Sequence, residues 1–402
     1  MSAPDIKTFC QGIVKSKLFT EAETADFYKK ARAESSAAAD THGFANWLVV
    51  KGKLTAYQAD AIQRGHLKFL LDDYKIVDRI GKGRMAGVYK ATHKKLGMAV
   101  AVKILPPVNA KKPEALARFQ REAQLALQLD HPHVVKTFHS GAADGLNYIA
   151  MEYLEGETLE ERLEAKKKLP PSEVLNVAMQ TLAGLQHLYD KGMVHRDVKP
   201  GNLMLVALPG KPDSEYAVKL LDVGLGRALF AEDDEPGAGP DLTAAGEMIG
   251  SPDYTSPEQC LNSHSADIRS DMYSLGCVLY QCLTGQVPFP DKNVVQKISK
   301  HAAMMPTPPD LSAYEQGEKL QAWLWKLFAK RPAERFQTPI DAARALKKVV
   351  GKTSGTADEE GETAAGSPLK IYLAAGIGAA ALMLILIVLF FFLFRGMLMG
   401  GS

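Results

Sequence analysis

H-R-D-V-K-P-G-N, residues 195–202, brings an aspartate, a lysine and an asparagine into one short stretch. Taken singly, Asp197, Lys199 and Asn202 are ordinary solvated loop residues. Taken together they are parts suited to moving a phosphoryl group. That chemistry asks a protein mainly to position its reactants and to place cations around developing oxygen charge. Whether this is the purpose of the stretch depends on what else the chain supplies, and a second lysine and a second carboxylate stand in its other motifs.

Both can be found by working outward. Upstream, I-G-K-G-R-M-A-G-V-Y-K at 80–90 follows the strand-like residues Tyr74, Ile76 and Val77. Glycines between two strands let backbone N–H groups approach phosphate oxygens without obstruction, although an ordinary hairpin accounts for this stretch equally well. A-V-A-V-K-I-L at 99–105 then sets Lys103 inside a β-branched strand, where a lysine is either an edge residue or a buried cation with an anionic partner. Pro113 suits the first turn of a helix whose apolar stripe is Leu116, Phe119, Ala123 and Ala126. Glu122 borders that stripe, within reach of Lys103. Downstream, K-L-L-D-V-G-L-G-R at 219–227 contributes Asp222.

The ordered series resembles the catalytic core of eukaryotic-type protein kinases, a class that bacteria also use as receptor-like serine/threonine kinases. The resemblance runs from the glycine segment through Lys103, Glu122, M-E-Y-L at 151–154, the 195–202 loop, Asp222-Val223-Gly224, S-P-E at 256–258 and Asp271 to Arg335. It covers residues 74–349 and implies an α+β, bilobal fold with a β-rich N-lobe and an α-helical C-lobe. It also implies ATP and Mg²⁺ as cofactors, with Mn²⁺ as a substitute. Asp197 would accept the substrate hydroxyl proton, and Lys199 would sit beside the transferring group. Asn202 and Asp222 would bind metal, and Lys103, paired with Glu122, would contact the nucleotide phosphates. The nucleotide would be enclosed by Ile80, Gly81, Lys82, Gly83, Arg84, Met85, Ala86, Gly87 and Val88, together with Ala101, Met151, Glu152 and Leu154. Lys199, and Ser251 in I-G-S-P-D-Y, resemble serine/threonine rather than tyrosine kinases.

Two positions depart from the family pattern. Ala86 stands where a third glycine belongs, with Arg84 adding bulk; a left-handed backbone there would cost alanine about 1–2 kcal/mol, or roughly tenfold in nucleotide affinity. Val223 replaces a large aromatic ring beside the metal-binding aspartate. The lost contacts amount to about 1–3 kcal/mol if the site cannot collapse, and they fall on conformational choice rather than on chemistry. The lysine and both aspartates that define an active kinase are present, so an enzyme is expected. The alternative is a catalytically silent pseudokinase scaffold at a membrane.

Arg196, beside Asp197, is the residue that pairs with an activation-loop phosphate in the family. Thr243 is the candidate phosphosite by placement, with Ser251 and Thr255 read as structural; Glu247 or the acidic run before Thr243 would satisfy Arg196 in a constitutive enzyme. The additional chain between Leu205 and Lys219 reads as a surface hairpin insertion.

Composition narrows the remaining possibilities. The 402 residues carry a formal net charge of +2, too little to argue for nucleic acid as a partner. Cys10, Cys260, Cys277 and Cys282 are scattered, which fits a reducing compartment and neither a disulfide framework nor a zinc site. Residues 1–70 read as a small helical module, with Thr55 capping a helix that carries Tyr57, Ala61 and Ile62. Residues 351–369 have no apolar face to bury and read as a disordered linker. From Ile371 to Phe394, 24 residues run without a charge. As a helix they would reach about 36 Å, enough to span a bilayer core. With 395–402 as a short tail, this predicts a tail-anchored, single-pass protein whose kinase domain faces the cytoplasm, in a bacterial inner membrane. The partners expected are protein substrates, the lipid bilayer, and a second copy of the chain through small residues such as Ala375 and Ala379.

Overall fold

The computed structural model describes residues 4–81, 87–105, 107–212, 215–223, 252–261 and 265–350. Side chains of some helical residues, Glu122 among them, also fall outside the description. So do Lys82 to Ala86, Thr243, Ser251, Glu247, the 351–369 linker and the apolar run 371–394. Among the described residues, no helix is long and apolar enough to cross a membrane.

Four helices open the chain: α1 (Ile6–Lys15), α2 (Glu21–Glu34), α3 (Thr41–Val50) and α4 (Ala56–Gln63). Each has a side-chain cap at its N-terminus. Thr20 with Glu23, and Thr55 with Gln58, form reciprocal capping boxes, while Asp5 and Asp40 accept single backbone N–H bonds. A six-stranded antiparallel sheet comes next, in the order β1-β2-β3-β4-β6-β5: β1 (Leu70–Leu71), β2 (Tyr74–Gly81), β3 (Gly87–His93), β4 (Ala99–Ile104), β5 (Thr137–Ala143) and β6 (Leu146–Glu152). Between β4 and β5 lie a short helix, α5 (Pro107–Ala110), and the longer α6 (Pro113–Ala126), with Pro113 in its first turn as expected.

The period-2 alternation of β4 divides its residues between two cores. Val100 and Val102 join Ile76, Ala91, Tyr148 and Ala150 on one face, and this set is continuous with Phe9, Ile13, Phe44, Leu48, Leu54 and Ile62 of the opening helices. The helical segment and the sheet therefore share one core. Ala101 lies on the other face, in a core with Leu105, Phe119 and Ala123 of α6, Val135, Ile149 and Met151. Lys103, two residues after Ala101, shares that side of the strand.

The C-terminal part is mostly helical, with α7 (Leu159–Lys166), α8 (Pro171–Asp190) and the central helix Ile268–Thr284, almost every residue of which is buried. A small sheet, β7 (Gly156–Thr158), β8 (Leu203–Ala207) and β9 (Tyr216–Leu220), lies at its edge. β8 and β9 pair antiparallel, so the additional chain between Leu205 and Lys219 is a hairpin connection. The bilobal α+β architecture agrees with the expectation. All four cysteines are free thiols.

Candidate active site

The 195–202 loop is held from beneath. Asp271 is fully buried in the central helix, and its two oxygens accept the backbone N–H groups of His195 (2.7 Å) and Arg196 (2.6 Å). Burial pushes the Asp271 carboxyl up to about 7, against the pull of those donors and of the Arg196 charge. Arg196 has φ +68°, an uncommon left-handed conformation for a non-glycine residue, and the two bonds to Asp271 fix the backbone there. Its own side chain is exposed. Burial also lowers the His195 pKa, leaving a neutral ring. Its Nδ1 accepts the Asp197 N–H (3.3 Å), so Nε2–H donates to the Leu221 carbonyl (2.8 Å), immediately before Asp222.

On this base the predicted catalytic residues converge. Asp197 Oδ2 accepts from Lys199 Nζ (2.6 Å) and from Asn202 Nδ2 (2.8 Å), and Asn202 Nδ2 also reaches the Asp197 carbonyl (2.7 Å). The carboxylate is thus aimed and charge-balanced while remaining a third exposed. Asp222 has φ +53° and accepts from Lys103 Nζ at 2.8 Å, across 119 positions of sequence. Burial raises the Asp222 pKa, but the Lys103 cation and its hydrogen bond more than offset this and hold the carboxyl below its ordinary value. Lys103 is therefore the buried cation that its strand suggested. Its described partner is Asp222; the expected carboxylate, Glu122, sits in α6 with its side chain outside the description.

The described residues of the predicted nucleotide set lie on and beside the six-stranded sheet. Gly81 pairs with Val88, and Val88 pairs with Lys103, so these three form one row across β2, β3 and β4. Ala101 pairs with Met151 on β6, and both are buried. Leu154 and Val88 pack against the same cluster, while Ile80 is exposed. Gly87 opens β3 under the Tyr89 ring, where an added Cβ would meet ring atoms at 2.5 Å unless that ring moved aside. Glu152 uses its side chain elsewhere: Oε1 accepts from Lys219 Nζ (2.6 Å) and from the Lys136 N–H (2.7 Å), so only its backbone is left to face a nucleotide.

Val223 is buried, and the space beside it is small. Ala126, Leu129, Val135, Thr137, Met151, Asp222 and Val223 line a cavity of about 10 Å³, roughly the room one water needs. Among the described residues, the side chains beside Val223 leave little room for a ring. Val223→Phe is accordingly expected to overpack the site and lower stability by about 1–3 kcal/mol, read as a fall in the urea midpoint. An increase in that midpoint would show that the walls accept a ring.

Sequence reasoning marked Glu258 and Arg335 only as landmarks. Arg335 is fully buried and grips Glu258 bidentately (2.7 and 2.8 Å); its remaining donors reach the carbonyls of Arg269, Ala329 and Lys330. Burial raises the Glu258 pKa, but Arg335 and Ser270 outweigh it and hold the carboxyl below its ordinary value. Two further links were not read from the sequence. Gln259 Nε2 donates to the Arg196 carbonyl (3.1 Å), and Lys297 pairs with Asp253 (2.5 Å). Glutamine and lysine at helix surfaces carry no local signal for such distant partners.

The donor set suits a hard divalent cation. Asn202 commits its Nδ2 to Asp197, so its oxygen is what can face a metal, and Asp222 is ionised. Among the described residues no three His, Cys, Asp or Glu side chains gather at ligating distance. A magnesium site shared with phosphate oxygens needs only one or two carboxylates from the protein.

Comparison with known proteins bears on the family and the fold. Residues 74–348 match the family model described as protein kinase domain. Serine/threonine-protein kinase PknB of Mycobacterium leprae is 36% identical over 284 residues, covering 70% of this chain and 43% of that protein. Serine/threonine-protein kinase pkn3 of Myxococcus xanthus is 35% identical over 265 residues, covering 65% and 47%. The chain thus spans under half the length of these curated relatives. Among solved structures, the PknI kinase domain of Mycobacterium tuberculosis superposes with a TM-score of 0.52 at 26% identity, covering 70% of this chain and 97% of that one.

Proposed function

Because the chain belongs to the protein kinase domain family, we propose that it transfers the γ-phosphoryl group of ATP to serine and threonine hydroxyls of proteins. The observation that carries this reading is the Asp197–Lys199–Asn202 cluster, standing with the Lys103–Asp222 pair on a loop pinned by Asp271. Asp197 Oδ2 is the acceptor for the proton leaving the substrate hydroxyl as the new O–P bond forms. Lys199 orients that carboxylate and adds positive charge beside the transferring oxygens. Lys103 and Asp222 orient one another at the phosphate end of the cleft. Asp222 and Asn202 would hold a divalent ion, Mg²⁺ or Mn²⁺, which when bound neutralises phosphate charge.

The finer assignments belong to the same proposal. The enzyme autophosphorylates, with Thr243 as the site that Arg196 reads. Residues 371–394 anchor it in a membrane, in a bacterial inner membrane with the kinase domain cytoplasmic, where it signals and where small residues permit pairing of two copies. What supports the anchor is the uncharged length of that segment.

One experiment addresses these points together. The full-length chain, produced in membranes, is supplied with labelled ATP, Mg²⁺ and a mixed protein substrate. Label recovered as phosphoserine and phosphothreonine is the expected result, and mapping the label on the chain itself tests Thr243. Recovery of the labelled chain in the membrane fraction tests the anchor. Magnesium-dependent ATP binding without any transfer would instead establish the silent scaffold.

A further inference from the structure

The capping box of α4 does more than cap. Thr55 Oγ1 accepts the Gln58 N–H (3.1 Å), and Gln58 Oε1 accepts the Thr55 N–H (3.0 Å). Each side chain then uses its other polar group on β2: Thr55 Oγ1–H donates to the Val77 carbonyl (2.5 Å), and Gln58 Nε2 donates to the Ile76 carbonyl (2.7 Å). The other capping box of this kind in the opening helices, Thr20 with Glu23 on α2, makes only its own reciprocal bonds and a bond within its helix.

The two carbonyls lie at an irregular point of the strand. Ile76 pairs with Ala91 and Asp78 with Lys90, so Val77 is an extra residue with no partner on β3. A bulge of this kind bends its strand and re-aims the residues beyond it, and here it is bonded from outside the sheet at the bulge and one residue before it. Four residues beyond Val77, past a second irregularity at Ile80, is Gly81, which with Val88 and Lys103 forms the row over the cleft. The opposite strand is touched as well: the ring of Tyr57, on the same turn of α4, lies 5.9 Å from that of Tyr89, one residue past Val88 and covering Gly87. Two of the three strands that carry the row, β2 and β3, are thus engaged by the first turn of one helix.

We infer that the first turn of α4, through Thr55, Tyr57 and Gln58, positions the Gly81–Val88–Lys103 row and thereby sets the affinity for the nucleotide. These are positioning residues, since none of them touches the cleft. The inference rests on the kinase reading above and adds to it that the opening helices act on ATP binding rather than on peptide binding or on the proton acceptor.

The test uses the full-length chain with ATP binding measured by calorimetry, alongside steady-state kinetics. Gln58→Leu and Tyr57→Leu are expected to weaken ATP binding about five- to tenfold, the consequence of about one hydrogen bond or ring contact. Peptide KM and kcat at saturating ATP stay within about twofold, the split that separates ground-state binding from chemistry. Thr55→Ser, which keeps the hydroxyl, behaves as wild type. Thr20→Ala is the control for loss of a capping box alone: its box is exposed and has no bond to the sheet, and ATP affinity is unchanged. Unchanged ATP affinity in Gln58→Leu and Tyr57→Leu would overturn the inference, as would an equal loss in Thr20→Ala. A wild-type chain that binds no ATP would overturn the kinase reading itself, and this inference with it.

Discussion

Asp197→Asn is expected to lower kcat by about 10²- to 10⁴-fold while ATP binding and the melting temperature stay close to wild type. The substitution keeps the shape of the side chain, so the loop loses no volume. It removes the only charge in the cluster that can take a proton. Lys199 (2.6 Å) and Asn202 (2.8 Å) both donate to the same oxygen, Oδ2. An amide can present its oxygen to them, so both bonds persist in weaker form and the loop stays ordered through Asp271. Single-turnover transfer from labelled ATP gives the rate, and calorimetry gives the binding. A loss of less than about tenfold would remove Asp197 from the role of proton acceptor.

Removal of the opening helices, with the chain beginning near Leu71, is expected to be more damaging to the fold than any single substitution. The sheet face carrying Tyr74, Ile76, Val100, Val102, Tyr148 and Ala150 is continuous with the helical core. Burial of large apolar side chains contributes about 1.5–3 kcal/mol each, so exposing this set removes on the order of 10 kcal/mol, comparable with the whole stability of a typical domain. The bonds from Thr55 and Gln58 to β2 go too, leaving the Val77 bulge unsupported. The shortened chain should therefore aggregate, or bind a hydrophobic dye without cooperative melting. A soluble product with a sharp transition near that of the full chain would show instead that the sheet closes its outer face by itself.

Much of the site was legible because phosphoryl transfer constrains residue types over short distances. Asp197, Lys199 and Asn202 lie within one loop, and the structure joins them directly. For Lys103 the sequence left two possibilities, an edge residue or a buried cation with an anionic partner, and the structure buries it. Which carboxylate the structure brings to it was a different matter. Asp222 is 119 positions away, and only the closing of the sheet over the C-terminal part brings the two within 2.8 Å. Val223 illustrates the same limit. The sequence shows that a ring is missing, but whether a void results depends on where Leu129, Val135 and Met151 stand, and with the other described residues they line a cavity of only about 10 Å³.

The chain's own order of residues determined the local chemistry: which groups carry charge, which positions alternate along a strand and where a helix such as α4 is capped. These depend on neighbours a few positions apart, and so they can be read in one dimension. Tertiary structure alone decided that the first four helices share a core with the sheet rather than forming a separate module. A clue was present in A-V-A-V-K-I-L, since a strand apolar on both faces needs cover on both. The sequence does not say what supplies the cover. That choice comes from shape and from the total apolar area buried, which are properties of the assembled layers and not of any segment within them.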